Sequence, residues 1–135
     1  MVKVLVSDPI SDKGLEVLES AGFDIVYHPN PSTDELQSLV SDIGAWIVRS
    51  GTKVTSELLK DARNLQVVGR AGVGIDNIDI EAATLNGVLV MNTPDGNSIT
   101  TAEHTIAMIM SLARKIPAAD ASNLHLSALL SPLSA

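Results

Sequence analysis

At 135 residues the chain is long enough for one domain with a real hydrophobic core. Its formal charge of −7 offers no basic surface to nucleic acid, and the absence of cysteine excludes disulfides, thiolate metal sites and thiol nucleophiles. An apolar fraction of 45% without a run of membrane-spanning length fits a globular chain of a reducing, cytoplasmic compartment, with neither nucleic acid nor membrane as partner.

Val2 to Val6 reads as the first strand, entered so early that no signal peptide is expected. Ser7-Asp8-Pro9 is the loop at its C-terminal end. Ser11 or Asp12 suits the cap of a helix carrying Leu15, Leu18 and Ala21 on one face, with Gly22 as its stop. Phe23 to Tyr27 is a second strand, and His28-Pro29-Asn30-Pro31 breaks the chain after it. Ser32-Thr33-Asp34-Glu35 is a capping-box signature for a helix burying Leu36, Leu39, Val40 and Ile43. Ala45 to Val48 is a third strand, and Thr55 caps a short helix with Leu58 and Leu59 inward.

Leu65 to Val68 is a fourth strand, which ends in the glycine-rich stretch Gly69-Arg70-Ala71-Gly72-Val73-Gly74-Ile75-Asp76. Gly69, Gly72 and Gly74 admit backbone conformations closed to other residues, or the close approach of a ligand. Arg70 adds a fixed positive charge suited to carboxylate or phosphate. The stretch is not the dinucleotide fingerprint G-x-G-x-x-G, because position 77 is asparagine. Asp79 caps the next helix, Glu81 lies in its first turn and Gly87 stops it; Val88 to Met91 is a fifth strand. Strands alternating with helices over short connections predict an open parallel sheet with helices on both faces. Ligands of such sheets sit beyond the C-terminal strand ends, where Asp8, Arg49, Ser50 and Arg70 fall. The charges of Arg49 and Arg70 converge if their strands are neighbours.

Asn92 to Gly96 is a Pro/Gly turn region, followed by a long helix from about Ser98 to Lys115. Its middle, Ile106 to Met110, is apolar without a clear polar face and calls for cover by another domain or subunit. His104 beside Glu103 suggests packing or capping rather than catalysis, since adjacent helix positions point apart. The three histidines share no ligand spacing, so no metal site is expected. After Ala121 the chain contains only Ser, Leu, Ala, Asn, His and Pro.

Val68-Gly69-Arg70-Ala71-Gly72-Val73-Gly74-Ile75-Asp76-Asn77-Ile78-Asp79 closely resembles the D-isomer specific 2-hydroxyacid dehydrogenase family, nearest its 3-phosphoglycerate dehydrogenase branch. Two more blocks agree, Ile47 to Thr55 and Met91 to Ser98 running on to Leu112-Ala113-Arg114-Lys115-Ile116-Pro117, so that the likeness spans residues 1 to about 121. The resemblance implies two α/β domains with a cleft between them, a smaller flavodoxin-like one for substrate and a larger one, inserted into it, for NAD. Residues 1–97 correspond to the N-terminal part of the substrate domain, 98–121 to the crossover helix that packs at a dimer interface, and 122–135 to a non-family tail. It implies that Arg49, Ser50 and Arg70 face a phosphorylated 2-hydroxy acid, and that Gly72, Val73 and Gly74 hold its carboxylate through backbone N–H groups. It also places Val73 near the nicotinamide of NAD and Asn97 at the hinge. The family's catalytic histidine, carboxylate and arginine, and its dinucleotide loop, come from a segment beyond these residues. A truncated family member, inactive by itself and forming a homo-oligomer, is therefore expected. Three other functions have less support. A phosphorylation receiver needs an aspartate where Arg49-Ser50 stands, and a flavin carrier needs a phosphate loop where Asp8-Pro9-Ile10 stands. A non-catalytic ligand-binding or dimerisation module of the same fold is the third.

Overall fold

The computed structural model describes residues 1–122. They fall into two compact units, Met1–Gly96 and a second beginning at Asn97. The first is a five-stranded parallel sheet in the order β2-β1-β3-β4-β5. Its strands are β1 Lys3–Val6, β2 Asp24–Tyr27, β3 Ala45–Val48, β4 Val67–Arg70 and β5 Leu89–Asn92. Between them lie α1 Asp12–Ser20, α2 Thr33–Leu39 with a 3-10 turn over Val40–Asp42, α3 Ser56–Asp61 and α4 Ile80–Leu85. The expected parallel α/β sheet with helices on both faces is present.

Register explains the layers. Leu5, Val26, Trp46, Val68 and Val90 form one cross-strand row. This row meets Leu36, Val40, Ile43, Leu58, Leu59 and Ala83 from α2, the 3-10 turn and its exit, α3 and α4, and together they form the core. Each large apolar side chain buried there contributes roughly 1.5–3 kcal/mol. The opposite face carries Ile47, beside which α1 lies with Val17 and Leu18. α1 buries no residue completely, so its hold on the sheet is the weaker one.

The helix ends follow local chemistry. The Ser32 hydroxyl accepts from Glu35 N at 3.3 Å, and Ser32 N donates to Glu35 Oε2 at 2.7 Å, closing the capping box. Hydrogen bonds from the Ser32 N–H and then its hydroxyl hold the Glu35 carboxyl below its ordinary pKa. Thr55 Oγ1 accepts from Leu58 N at 3.4 Å, and Asp79 Oδ1 from Ala82 N at 2.9 Å. Gly22 and Gly87, at φ 80° and 70°, turn the chain out of α1 and α4 as expected of stop residues.

Boundaries differ in informative places. β4 begins at Val67 and continues through Gly69 and Arg70, because Ile47 and Val48 of β3 and Met91 and Asn92 of β5 pair with them. β5 starts at Leu89; the N–H of Val88 bonds to Ala83 O, so Val88 still belongs to the turn. Ser11 precedes α1 in an extended conformation but makes no side-chain cap bond. In the second unit α5 spans Ser98–Ala113 and stops short of Lys115, whose φ of 52° no helical residue adopts. α5 has no buried residue; Ile106, Ile109, Met110 and Leu112 are all more than half exposed. His104 is also exposed, and it makes no cap bond among the described residues. Among the described residues no helix is long and apolar enough to cross a membrane. The tail reading falls on residues 123–135, outside the described residues, apart from Ser122.

Candidate functional site

The strand order reverses direction between β1 and β3, which opens a crevice at their C-terminal ends. The loops after β1, β3 and β4 all emerge there. Pockets flank the crevice on both sides of the sheet. One of about 400 Å³ is lined by Asp8, Asn30, Gly51, Thr52 and Lys53; another of about 690 Å³ is lined by Ile10, Lys13, Val17, Ile47 and Arg49.

A buried polar network holds the first two loops. Trp46 Nε1 donates to Ser7 Oγ at 2.8 Å, and Ser7 Oγ lies 2.9 Å from Thr52 Oγ1. Asp8 is 2% exposed, and its Oδ2 accepts from Arg49 N at 2.6 Å and from Thr52 N at 3.1 Å. A buried carboxylate is tolerable only when so engaged. Among the described residues no buried side-chain polar atom lacks a partner. Gly51 is required by this packing: a Cβ there would collide with Asp8 Oδ1.

Arg70 ends β4, opposite Val48, so the strands bearing Arg49 and Arg70 are neighbours as the convergence requires. Arg70 Nε donates to Asn77 Oδ1 at 3.3 Å, while Asn77 Nδ2 donates to Arg49 O at 2.7 Å and to Thr52 O at 2.6 Å. The guanidinium lies across the glycine turn. A Cβ on Gly72 would strike Arg70 Nη1, and one on Gly74 would stand 2.8 Å from Asp76 Oδ1 and 3.8 Å from Arg70 Nη1. Positive φ occurs at neither glycine. These glycines make room for side chains, rather than for a backbone conformation closed to other residues.

The remaining expected residues are placed as follows. The Arg49 side chain is exposed and donates through Nη1 to Pro9 O at 3.2 Å, so the two guanidinium groups have different partners. Ser50 is exposed in the bend after β3. The N–H of Gly72 is already given to Arg70 O at 2.9 Å, whereas no bond from the N–H of Val73 or Gly74 occurs among the described residues. Val73 is 40% exposed, and its carbonyl accepts from Asn92 Nδ2 at 2.7 Å. Thr93 N donates to Gly72 O at 3.0 Å, so the end of β5 supports the turn from below. Asn97 belongs to the second unit, where it precedes α5 and its carbonyl accepts from Thr101 N at 2.8 Å. Ser7, Trp46, Thr52, Asn77 and Asn92 were not foreseen as parts of this site. The one local signal was Asn77, standing where the fingerprint asks for glycine.

A dinucleotide pyrophosphate needs an open glycine turn leading directly into a helix. Here Arg70 fills the turn, Asn77 occupies the third glycine position, and Asp79 already caps the six-residue α4. The residues of this turn do not fit the main NAD site.

Four similarities place the chain. Residues 4–128 match the model of the D-isomer specific 2-hydroxyacid dehydrogenase catalytic domain, a match that runs past Ala121. The chain is 52% identical over 120 residues to D-3-phosphoglycerate dehydrogenase of Sus scrofa, covering 89% of the chain and 22% of that protein. It is 48% identical over 121 residues to the Archaeoglobus fulgidus protein of the same name, covering 90% of the chain and 23% of the relative. The chain thus spans less than a quarter of the length of these relatives. The structure of NAD+-bound 3-phosphoglycerate dehydrogenase from Entamoeba histolytica superposes with a TM-score of 0.72 at 32% identity, covering 82% of the chain and 38% of that one. The parallel sheet, the glycine turn occupied by Arg70 and these matches together make the chain a member of the D-isomer specific 2-hydroxyacid dehydrogenase family.

Proposed function

We propose that the chain is the N-terminal, substrate-holding portion of an NAD-dependent dehydrogenase that oxidises 3-phosphoglycerate at its C2 hydroxyl carbon, at the entry to serine biosynthesis. The supporting observation is the Arg70 guanidinium held over a glycine turn beyond β4, in a chain about half identical to proteins named for that reaction. Arg70 keeps both Nη groups for an anion, because among the described residues only its Nε is bonded, to Asn77. The N–H groups of Val73 and Gly74, unbonded among the described residues, lie on the same turn and suit a carboxylate oxygen. Arg49 needs only to leave an exposed carbonyl to add its charge, and Ser50 adds a hydroxyl beside it. In this division of the chain residues 1–97 hold substrate and 98–121 lead toward an NAD-binding domain with Asn97 as the hinge, while the family match continues to residue 128 into the Ser/Leu/Ala-rich stretch. Val73 then meets the nicotinamide side of the cleft.

Titration of the chain with 3-phosphoglycerate, followed by amide NMR, tests this. Shifts are expected at Arg49, Ser50 and Arg70 to Gly74. Arg70→Ala should weaken binding roughly ten- to hundredfold, the worth of hydrogen bonds to a charged group. Unchanged affinity in that variant would remove the anion site.

The same assignment has α5 pair with a second copy, since packing and not propensity holds an apolar helix in water. Ile109→Lys should shift sedimentation of the chain from dimer or larger toward monomer. A wild-type chain that sediments as a monodisperse monomer would contradict the pairing.

A further inference from the structure

We propose that Asn77 is a positioning residue: its carboxamide locks the Arg70 guanidinium and the Arg49–Thr52 loop into one rigid anion-holding unit. This rests on the anion site proposed above and adds the part that shapes it.

Both N–H donors and the oxygen of the carboxamide are engaged, and only one orientation engages them all. Oδ1 accepts from Arg70 Nε at 3.3 Å; Nδ2 donates to the carbonyls of Arg49 at 2.7 Å and Thr52 at 2.6 Å. Reversed, the amide oxygen would face those two carbonyl oxygens and its nitrogen would face an N–H donor. The bonded partners lie on different strand-end loops, one after β3 and one at the end of β4. The backbone around Asn77 is itself anchored: Val54 N donates to Asn77 O at 2.9 Å, and Ile78 is 5% exposed in the core.

The consequence for Arg70 is geometric. A free arginine has several rotatable bonds, and holding it costs side-chain entropy on binding. Fixing Nε fixes the plane of the guanidinium and leaves the Nη pair over Gly72 and Gly74. A planar, prepositioned pair suits a carboxylate or phosphate edge better than a swinging cation does. Asp76 shares the turn without an ion pair to Arg70 among the described residues, so a loosened guanidinium has a competing carboxylate close by. Asn77 therefore also keeps Arg70 away from Asp76. Glycine at position 77, as a dinucleotide turn would have, supplies none of these bonds.

Two variants separate the two halves of the carboxamide. Asn77→Ala removes both halves, whereas Asn77→Asp keeps an acceptor for Arg70 and removes the donors to Arg49 and Thr52. The first readout needs no ligand. The Arg70 Nε–H signal in NMR should exchange slowly in the wild-type chain and in Asn77→Asp, and fast in Asn77→Ala. Amide exchange at Arg49 to Thr52 should quicken in both variants. The second readout is 3-phosphoglycerate affinity, expected to fall about tenfold in Asn77→Ala for the loss of a bond to a charged group. Fast Nε–H exchange in the wild type, or slow exchange kept in Asn77→Ala, overturns the positioning role. If Asn77→Ala fails to fold, Asn77→Asp decides: lost Arg70 Nε–H protection there also overturns it. If neither wild type nor Arg70→Ala binds 3-phosphoglycerate, the anion site fails, and with it the functional part of this proposal, while the exchange data still report whether the lock exists.

Discussion

Trp46→Ala is expected to cost about 3–5 kcal/mol of stability, as for other buried aromatic truncations, and so to leave the first unit close to unfolding. Trp46 is 0% exposed at the centre of the sheet, between Leu5 on β1 and Val68 on β4. Its removal opens a cavity that strands held on both sides cannot collapse around. Its Nε1 also supplies one end of the network that seats Asp8 against the loop after β3. Trp46→Phe separates the two contributions. It keeps much of the volume and removes the donor to Ser7 Oγ, which still has Thr52, so a loss of about 1 kcal/mol is expected. Urea unfolding followed by far-ultraviolet circular dichroism measures both, with midpoints falling and slopes unchanged. If the alanine variant lost no more than the phenylalanine one, the core would not be centred on this side chain.

The residues of the sheet were readable because each strand is a short apolar run bounded by turn chemistry. The caps at Ser32, Thr55 and Asp79 and the stops at Gly22 and Gly87 were readable because the bonds that make them span only a few residues. The site was readable only in part. Arg70 and its glycine turn form a local motif, and Arg49 follows from strand-end placement. The bonds that organise them are long-range: Asp8 reaches Thr52 across 44 positions, and Asn77 reaches Arg49 across 28. No periodicity or propensity carries such pairings. The glycines show the limit most clearly. Freedom of φ is the general reason for glycine, yet Gly72 is needed because a side chain from the preceding strand lies against it. That contact exists only once β4 has been extended to Arg70 by its neighbours.

The 135-residue chain by itself should produce no NADH from 3-phosphoglycerate and NAD. The proposed oxidation requires a base to take the hydroxyl proton, a carboxylate to orient that base, and a cradle for the dinucleotide. The resemblance assigns all of these to a segment beyond the described residues, and the described residues offer no substitute. Among the described residues His28 is the histidine paired with a carboxylate, its Nε2 3.6 Å from Glu35 Oε1. That carboxylate already caps α2, and His28 follows β2, three strand spacings from Arg70 on β4. Neighbouring strands lie about 4.8 Å apart, which puts these strand ends roughly 14 Å from one another. A base within hydrogen-bond reach of a substrate held by Arg70 cannot stand there. His104 sits on α5 in the other unit, and Glu103 beside it points to a different side of the helix. The turn at Gly72 is occupied by the Arg70 guanidinium and has Asn77 where a dinucleotide turn has its third glycine. NADH fluorescence should therefore stay at the rate of the protein-free control, and His28→Gln and His104→Gln should change nothing, while 3-phosphoglycerate still shifts the amides of the glycine turn. Turnover that scales with chain concentration and falls with either histidine variant would place the catalytic base within these residues and refute the assignment of chemistry to another segment.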